Sequence, residues 1–466
     1  MAASFDDGNR EIPGGIVGRV ERVLVVGAGI AGLTVAHALA HAGVDCRVVE
    51  ARSRVGGRLS TGELAGSSVD LGGSWIHHPD GNPLREFARS VGVACRPGNP
   101  LEALRAFDCV TGQWLSPVEL EACMAVDPEG FLEAIDDLRI RLGPGASASD
   151  GIEAYLAETS LTGDELRRAR QGLVAHVEAD AAGAADQQSL RWLWTQAEDG
   201  GDYFGDLPEG GYTSLVEAMA AGMGVRRDWP VARVDLQEDR VVLTSTNGET
   251  ETGSHAVVTV PLGVLKSGRP IFAPPLPVDR VEAMGRLGFG SYEKVALKFG
   301  EAFWRGAGWS HLVLFPPEAD EPASWVFDLD AFSGDPILVC HTFHSATHHV
   351  VGASKAVAAR RVTDMLARAL GAACPEPVAV AVTGWTNDPY TLGAYTHVRP
   401  GSSNADVDLL GRPVGGRLFF AGEHTQSARL GYADGAMTSG IREAKRLLGT
   451  PAVELGRVAE GPRIEA

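Results

Sequence analysis

Three glycines near the start of the chain constrain its fold more than any other sequence feature. They belong to the hexapeptide GAGIAG at 27–32, which follows a predicted buried strand at 22–26 and opens a predicted helix that ends near His41. A second predicted strand at 47–50 ends on the acid Glu50. In a strand–helix–strand unit with this spacing, the glycines let the backbone approach a pyrophosphate at the helix N-terminus. The sequence therefore predicts a parallel α/β sheet that binds a dinucleotide.

Glu50 narrows the choice of dinucleotide. Its carboxylate can accept hydrogen bonds from the adenosine ribose hydroxyls, and its charge repels a 2′-phosphate. The motif therefore disfavours NADP and leaves FAD and NAD open. A glycine-rich turn in an unrelated α/β fold is the alternative, and the flanking strands and helix argue against it.

Composition excludes several classes of function. Lys and Arg total 41 and Asp and Glu total 60, so the formal net charge is −19. Nucleic acids and anionic membranes bind basic surfaces, so neither is an expected partner. An acidic surface attracts cationic substrates, although it also keeps a protein soluble. The six cysteines form no CxxC pair, and no leader or membrane span is predicted, so a cytoplasmic protein is expected.

Arg58 follows the second strand in the segment Gly56-Gly57-Arg58, where its guanidinium can reach the same phosphates. With these residues the chain resembles the flavin-containing amine oxidase superfamily, which includes monoamine oxidases, polyamine oxidases and the related histone-lysine demethylases. The family motifs V-G-A-G-I-A-G-L, E-A-R and V-G-G-R occur here at 26–33, 50–52 and 55–58. Similar segments continue at 73–77, 210–212, 258–265, 385–401 and 418–425, and only 86–206 is weakly patterned.

The resemblance implies an α/β fold with two domains. A discontinuous Rossmann-like FAD-binding domain is expected at 20–85, 207–285 and 400–450. An inserted α+β substrate-binding domain is expected at 86–206 and 286–399, and flexible termini are expected at 1–19 and 451–466. FAD is expected to be noncovalent, because Ala394 occupies the position of the cysteine that monoamine oxidases attach to the flavin.

The resemblance also implies which residues contact FAD. Glu423 is expected to hydrogen-bond the ribityl chain, and the helix that begins near Ala433 is expected to direct its N-terminal N–H groups at the flavin pyrimidine edge. Asp434 is expected to be a residue of the helix start and not a catalytic base. The full expected set is Gly27, Gly29, Ile30, Ala31, Gly32, Glu50, Ala51, Arg52, Gly57, Arg58, Gly73, Ser74, Trp75, Val231, Pro261, Trp385, Gly422, Glu423 and Ala433.

Three residues are implied in catalysis. Lys294 lies in a predicted strand at 292–299, where the family has a lysine that holds a water at the flavin N5, and a positive charge there suits electron transfer to O2. Alternation along the strand alone favours a solvated lysine. Tyr395 and Tyr432 match the positions of two facing rings that can contact an amine by cation–π interaction, and two core tyrosines are the alternative.

The histidines of the chain have several interpretations. His77 matches the W-I-H segment and is expected at the substrate entrance, with a packing histidine as the equal alternative. His78 replaces the family's usual glycine, which leaves the shape of this loop open. No metal is expected, because no carboxylate or cysteine completes a recognisable ligand pattern in the sequence. The histidines weighed for a metal site are His341, His344, His348 and His349.

The implied activity is oxidation of an amine C–N bond to an imine, which hydrolyses to an aldehyde or ketone while O2 is reduced to H2O2. The expected partners are a monoamine or polyamine substrate and O2, and a homodimer is compatible with the sequence. One alternative is an L-amino-acid oxidase, in which Arg85 or Arg305 would bind the carboxylate. A flavin-dependent desaturase, a protoporphyrinogen oxidase-like enzyme and an FAD-binding scaffold without activity are the others.

Overall fold

The structure is a computed structural model of the 466-residue chain. It describes residues 16, 18–98, 103–124, 128–195, 203–318, 321–453 and 455, with the backbone alone at 121–124, 128 and 129. Most of the termini that the sequence predicts to be flexible, 1–19 and 451–466, lie outside these residues. Among the described residues, no helix combines the length and the apolar character needed to cross a membrane.

The strands of the described chain fall into several sheets. In chain order they are β1 (Arg22–Val26), β2 (Asp45–Val49), β3 (Thr61–Leu64), β4 (Ser67–Asp70), β5 (Cys95–Pro97), β6 (Leu104–Asp108), β7 (Gln113–Trp114), β8 (Asp206–Pro208), β9 (Val225–Arg226), β10 (Val231–Leu236), β11 (Val241–Ser245), β12 (Thr250–Gly253), β13 (His255–Val258), β14 (Ile271–Ala273), β15 (Gly288–Phe289), β16 (Tyr292–Lys298), β17 (His311–Phe315), β18 (Ser324–Asp328), β19 (Ile337–Phe343), β20 (Ala379–Val382), β21 (Thr396–His397) and β22 (Leu418–Phe420).

The α-helices lie mainly between these strands. In chain order they are α1 (Ile30–His41), α2 (Pro83–Val91), α3 (Pro117–Met124), α4 (Pro128–Leu142), α5 (Ala148–Ala157), α6 (Gly163–Ala181), α7 (Tyr212–Ala220), α8 (Leu262–Lys266), α9 (Val278–Arg286), α10 (Asp330–Ser333), α11 (Lys355–Leu370), α12 (Asn404–Leu410) and α13 (Ala433–Leu448).

Strand β1, which precedes the glycine motif, is the central strand of a five-stranded parallel sheet. The strand order is β22-β13-β1-β2-β9. Strands β1 and β13 are almost entirely buried, as expected for a parallel sheet with both faces covered. Helices α1 and α13 pack closely, because Gly440 has no side chain: a Cβ there would lie 2.6 Å from the Ala31 carbonyl oxygen. The predicted parallel α/β sheet is confirmed.

A second, seven-stranded sheet has the order β20-β16-β19-β18-β17-β6-β7 and is mostly antiparallel. The side chains of Val295, Leu297 and Phe299 pack on one face of β16 against residues of α11. On the other face, Ala296 packs against residues of β3 and β4. Strand β16 is therefore covered on both sides, and a polar side chain on it needs partners inside the protein.

Helix α2 corrects one predicted boundary. Its residues Leu84, Phe87 and Ala88 are buried in the same core as α1 and β1. The helix begins after Asn82, whose side chain accepts a hydrogen bond from the Leu84 N–H, and ends at Gly92 with φ 78°. The predicted division between 85 and 86 therefore cuts a helix that packs with the parallel sheet, and it misplaces the second half of α2.

Candidate active site

A cavity of about 580 Å³ extends from the glycine motif to the inner face of the seven-stranded sheet. This volume lies within the usual range for cofactor and substrate sites. Every residue that the sequence predicts for cofactor, substrate or catalysis lines this cavity, with the exception of Gly32. The structure therefore brings together segments that are up to four hundred residues apart in the chain.

The glycines of the motif have two different tasks. A Cβ at Gly29 would meet no atom within 4 Å, and Gly29 lines the cavity, so its missing side chain leaves room in the cavity beside the N-terminus of α1. A Cβ at Gly32 would lie 2.0 Å from the Gly27 carbonyl oxygen, so Gly32 permits close packing inside the motif. The open position at a helix N-terminus fits the pyrophosphate of a dinucleotide.

This division predicts opposite outcomes for two alanine variants. We expect Gly29→Ala to leave the thermal stability of the apoprotein within about 0.5 kcal/mol of wild type, because its Cβ enters open space. The same variant should bind FAD at least about tenfold more weakly, because the methyl group occupies pyrophosphate space. Gly32→Ala should destabilise the apoprotein by about 1–3 kcal/mol through overpacking. Flavin titration and thermal unfolding of both apoproteins check this, and unchanged FAD affinity in Gly29→Ala would contradict it.

Glu50 shapes the wall of the cavity beside the motif. Its carboxylate accepts hydrogen bonds from the backbone N–H of Ala28 at 2.7 Å and of Arg52 at 2.9 Å. A carboxylate oxygen has more than one lone pair, so both oxygens can also accept a ribose hydroxyl. Arg52 makes a two-pronged ion pair with Asp388 at 2.7 and 2.6 Å, which ties the motif to the segment before Tyr395.

An ion pair between Arg58 and Glu423 joins two distant parts of the chain at the cavity. Arg58 Nη1 donates to Glu423 Oε1 at 2.9 Å and to the carbonyl oxygen of Ala394 at 2.6 Å. Glu423 is buried and also accepts a hydrogen bond from the Thr396 hydroxyl at 3.1 Å. The guanidinium thus compensates a buried carboxylate. The expected contacts of Arg58 with phosphate and of Glu423 with ribityl hydroxyls stay predictions.

The N-terminus of α13 forms another part of the wall. Ala433 is its first residue, and Ala433 and Ala436 both line the cavity. The first turn of a helix carries partial positive charge, which stabilises an anionic group placed next to it. Asp434 is buried and accepts a hydrogen bond from Arg429 Nε at 2.6 Å. This ion pair suits a residue of the helix start better than a base.

Lys294 is buried in the wall between the two sheets, with 5% of the residue exposed. Its Nζ donates to the Gly72 carbonyl oxygen at 2.6 Å, to Ser74 Oγ at 2.7 Å and to the Asp70 carbonyl oxygen at 3.2 Å. Burial lowers the pKa of Lys294 to about 8, although the charge of Asp70 favours the protonated form. The solvated lysine that strand alternation favours is wrong, because both faces of β16 are covered.

Asp70 supports this wall and was not among the predicted residues. Its Oδ1 accepts hydrogen bonds from the Thr61 hydroxyl at 2.6 Å and from the Tyr212 N–H at 3.1 Å. Burial raises its pKa to about 6, against the effect of the Lys294 charge. Asp70 lies two residues before Gly72, next to a segment similar to the family, which is a usable signal.

Tyr395 and Tyr432 are half-buried and both line the cavity. Their hydroxyl groups are held by the C-terminal end of α6. Tyr395 donates to the Ala179 carbonyl oxygen, and Tyr432 donates to Asp180 Oδ1 at 3.0 Å. Two rings at the cavity wall with fixed hydroxyls favour a role at the site over the core-tyrosine alternative.

Asp180 places a carboxylate in the part of the cavity that is lined by Trp75, Tyr203, Phe327, Tyr395 and Tyr432. We call this part the chamber. It lies in the last turn of α6, where the helix carbonyls add partial negative charge, and it lines the cavity beside Tyr203 and Tyr432. No sequence motif indicates this residue, because it belongs to the weakly patterned segment 86–206. A carboxylate at this place attracts a cationic group of a substrate.

Aromatic side chains form the remaining chamber wall. His341 lies opposite Lys294 in the register of β16 and β19, and its Nδ1 is 2.6 Å from the Tyr292 hydroxyl. Burial holds the pKa of His341 well below its usual value, and the Lys294 charge acts in the same direction. Phe327 and Trp75 pack on the His341 ring with centroid distances of 4.6 and 5.9 Å.

The loop with His77 and His78 borders this chamber. The Nδ1 of His77 is 2.6 Å from the Tyr203 carbonyl oxygen, and its ring meets the Tyr432 ring edge-on at 5.5 Å. His78 has φ 47°, in the left-handed region that favours glycine. The loop therefore keeps a backbone conformation typical of glycine although a histidine occupies the position.

The other three histidines weighed for a metal site do not lie with His341 at the cavity. His344 Nδ1 lies 3.0 Å from the Ala182 carbonyl oxygen, whereas His348 and His349 meet Glu321 outside the cavity. The sequence contains no recognisable ligand pattern around these histidines, but the fold brings the Glu321 carboxylate to His348 and His349. The sequence could not supply Glu321, because it comes from a separate loop.

Comparisons with known proteins agree with this site. A profile of the flavin-containing amine oxidoreductases matches residues 30–448. Polyamine oxidase 2 of Arabidopsis thaliana is 31% identical, over 92% of this chain and 88% of that protein. Lysine-specific histone demethylase 1 homolog 2 of Oryza sativa subsp. japonica is 35% identical over 91% of this chain. The chain spans only 57% of that demethylase, about half its length.

Solved structures show the same fold. A putrescine oxidase variant with redesigned cofactor binding superposes with a TM-score of 0.74 at 21% identity, over 92% of this chain and 99% of that one. The cofactor of this chain is FAD. Ala394 lines the cavity and has no group that could bond to a flavin, so noncovalent binding stays the expectation. The matched profile and the polyamine oxidase relative show, together with the glycine motif at the cavity, that the chain belongs to the family of flavin-containing amine oxidoreductases.

Proposed function

We propose that this protein oxidises a C–N bond of a diamine or polyamine to an imine, which water hydrolyses to an aldehyde, with O2 reduced to H2O2. The observation that carries the choice of substrate is the Asp180 carboxylate in the chamber between Tyr203 and Tyr432. Bound FAD supplies the redox chemistry, because it accepts a hydride equivalent from the carbon beside the nitrogen and passes two electrons to O2.

The chain binds and orients the two ends of such a substrate differently. Asp180 attracts the ammonium group that does not react, since opposite charges in a partly enclosed chamber interact more strongly than in water. Tyr395 and Tyr432 border the path of the reacting amine, and their hydroxyls are fixed by α6. The reacting nitrogen has to be neutral, so amine oxidation should accelerate as the pH rises towards the pKa of the substrate amine.

Lys294 has a separate task in this proposal. Its Nζ is fixed by three oxygen acceptors and carries a proton below pH about 8, so a positive charge is held at the cavity wall. Such a charge stabilises anionic oxygen species as they form. Trp75, Phe204 and Phe327 add apolar surface to the cavity wall and limit the access of water.

A second candidate substrate is an arylalkyl monoamine. The aromatic wall of Trp75, Phe204 and Phe327 favours it, since rings pack well edge-on against such side chains. An amino-acid substrate is disfavoured. Arg85 is paired with Asp206 at 2.6 Å and Arg305 with Asp330 at 2.5 Å, and neither arginine lines the cavity.

The proposal extends to architecture and location. The parallel sheet with α1, α2, α7 and α13 is the FAD-binding domain, and the seven-stranded sheet with α3 to α6 and α11 is the inserted substrate-binding domain. The protein acts in the cytoplasm on a small-molecule amine, with O2 as the second substrate. A homodimer is compatible with this proposal.

Anaerobic reduction of the bound flavin tests the function. The purified protein is mixed without O2 with putrescine, spermidine, spermine, benzylamine, tyramine and several L-amino acids in turn. We expect a diamine or polyamine to bleach the visible flavin absorption, which returns with formation of H2O2 when air is admitted. Bleaching by benzylamine or tyramine alone would support the second candidate. Bound flavin that no amine reduces would contradict amine oxidation.

A further inference from the structure

Two histidines and a glutamate meet outside the active-site cavity. The nitrogen and oxygen atoms of Glu321, His348 and His349 that can bind a metal all lie within 4.8 Å of one another. None of the three residues lines the cavity. We propose that these residues form a binding site for a divalent transition-metal ion, of which Zn²⁺ is the best fit.

The distances between the three ligand atoms are such that the side chains have to move little to bind an ion. Glu321 Oε1 lies 3.7 Å from His348 Nε2 and is hydrogen-bonded to His349 Nε2. With metal–ligand bonds of about 2.0–2.1 Å, the ligand atoms of a tetrahedral zinc ion lie about 3.3 Å apart. His348 therefore has to approach slightly and His349 has to move away slightly, which side-chain rotation can provide. His349 also gives up the Nε2 hydrogen that it donates to Glu321, either to solvent or by a shift of the hydrogen to Nδ1, so that Nε2 has a lone pair for the ion. Water is the expected fourth ligand.

Hydrogen bonds behind the ligands prepare them for a metal. His348 Nδ1 is 2.8 Å from the Ser345 carbonyl oxygen. A carbonyl only accepts, so Nδ1 carries the hydrogen and the neutral ring keeps a lone pair on Nε2, the arrangement that metal-binding histidines adopt. Arg361 Nη2 donates to the other carboxylate oxygen, Glu321 Oε2, at 2.5 Å. This contact orients the carboxylate and leaves Oε1 for the ion.

The backbone around the site is fixed by other contacts. His348 and His349 end the 3-10 helix His344–His349, whose Ser345 N–H donates to Glu178 of α6 at 2.8 Å. The Glu321 N–H donates to the Glu318 carbonyl oxygen at 3.1 Å. Ligands from two anchored segments lose little conformational freedom when they bind an ion.

Exposure gives the ion a path to the site. The side chain of His348 is 63% exposed, whereas those of His349 and Glu321 are 22% and 10% exposed. An ion can therefore enter from the His348 side and meet two ligands that are already partly dehydrated. Two imidazoles and one carboxylate suit Zn²⁺, Co²⁺ or Ni²⁺, whereas Mg²⁺ and Ca²⁺ prefer all-oxygen sites.

The alternative is a surface cluster in which Glu321 only pairs with His349 and Arg361. Calorimetric titration of the FAD-loaded, tag-free protein with Zn²⁺ distinguishes the metal site from such a surface cluster. We expect one saturable equivalent in the wild type and at least about tenfold weaker binding in His348→Ala, because a direct ligand is lost. His348 is exposed, so this variant should fold. His41→Ala, which removes an exposed histidine of α1, should bind as the wild type does.

Cobalt gives a second measurement that does not depend on enzyme activity. Co²⁺ added to the FAD-loaded wild type should produce the intense visible bands of a four-coordinate ion, seen as a difference spectrum against the flavin. These bands should be absent in His348→Ala and unaffected by excess Mg²⁺. The proposal is overturned if the wild type binds no Zn²⁺, or if His348→Ala and the wild type bind it equally.

Discussion

Replacement of Lys294 by methionine should slow the reaction of the reduced enzyme with O2 by about 10²–10³-fold, the usual cost of removing a charge-stabilising group from an enclosed site. Methionine keeps the length of the side chain and removes the charge held by Gly72, Ser74 and Asp70. The anaerobic reduction by amine should change by less than about threefold, because this step forms no anionic oxygen species. Stopped-flow measurement of both half-reactions separates the two effects.

Lys298 provides the matched control. It lies four residues further along β16, on the same face, and its Nζ donates to the Ala65 carbonyl oxygen and to Ser67 Oγ outside the cavity. Lys298→Met removes the same charge from the same strand and should leave O2 reactivity within about twofold of wild type. Equal losses in both variants would mean that Lys294 acts through the stability of β16 and not at the cavity.

The pH dependence of O2 reactivity gives a further check on Lys294. Its pKa of about 8 means that the side chain is charged below this pH and neutral above it. The rate of reaction with O2 should therefore be constant at low pH and fall as the pH rises through about 8. The methionine variant should lack this fall. Reduction by amine should show the opposite trend, since it needs the neutral amine, so the two half-reactions respond to pH in opposite directions.

Replacement of Asp180 by asparagine should lower kcat/KM for putrescine by about 10–100-fold, which corresponds to about 1.4–2.7 kcal/mol of lost interaction. Asparagine keeps an oxygen that can accept the hydrogen bond from the Tyr432 hydroxyl, so the ring should stay in place. Only the negative charge is lost. Benzylamine has no second ammonium group, so its kcat/KM should change by less than about threefold.

Steady-state kinetics with both substrates check this expectation. Asp186→Asn removes the same charge from an exposed residue just beyond α6, which does not line the cavity, and should have no effect on either substrate. A similar loss for putrescine and benzylamine would show that Asp180 positions Tyr432 and does not select diamines. No loss for putrescine would contradict the proposed substrate class while leaving amine oxidation intact.

The cofactor half of the cavity could be predicted because its determinants are local. The glycine motif, the acid Glu50 and the segment that ends at Ala433 each carry their meaning within a few residues, and all lie at the cavity. Gly32 is the informative exception. It belongs to the motif, but its missing side chain serves the packing against Gly27 and not the cavity, which spacing alone does not distinguish.

The substrate half of the cavity depends on contacts between distant segments, so few of its residues could be predicted from local motifs. Asp180 lies at the end of a helix without a recognisable motif, and His341 is a neighbour of Lys294 only through the register of β16 and β19. Alternation alone does not indicate the burial of Lys294, because it shows which residues share a face but not whether that face is covered. Only the resemblance to the family places this lysine at the flavin. Glu321 meets His349 through the tertiary fold in the same way.

The order of strands in the parallel sheet has a consequence for how the protein is made. Strand β1 pairs with β13, and β13 pairs with β22, which comprises Leu418–Phe420. A chain emerging from the ribosome therefore exposes the edge of β13 until residues 418–420 have been synthesised, and such edges promote aggregation. The ion pair between Arg58 and Glu423 likewise forms only after Glu423 has been synthesised. The cavity wall that contains both residues can therefore form only after residue 423 has been synthesised, although the glycine motif at 27–32 is made far earlier.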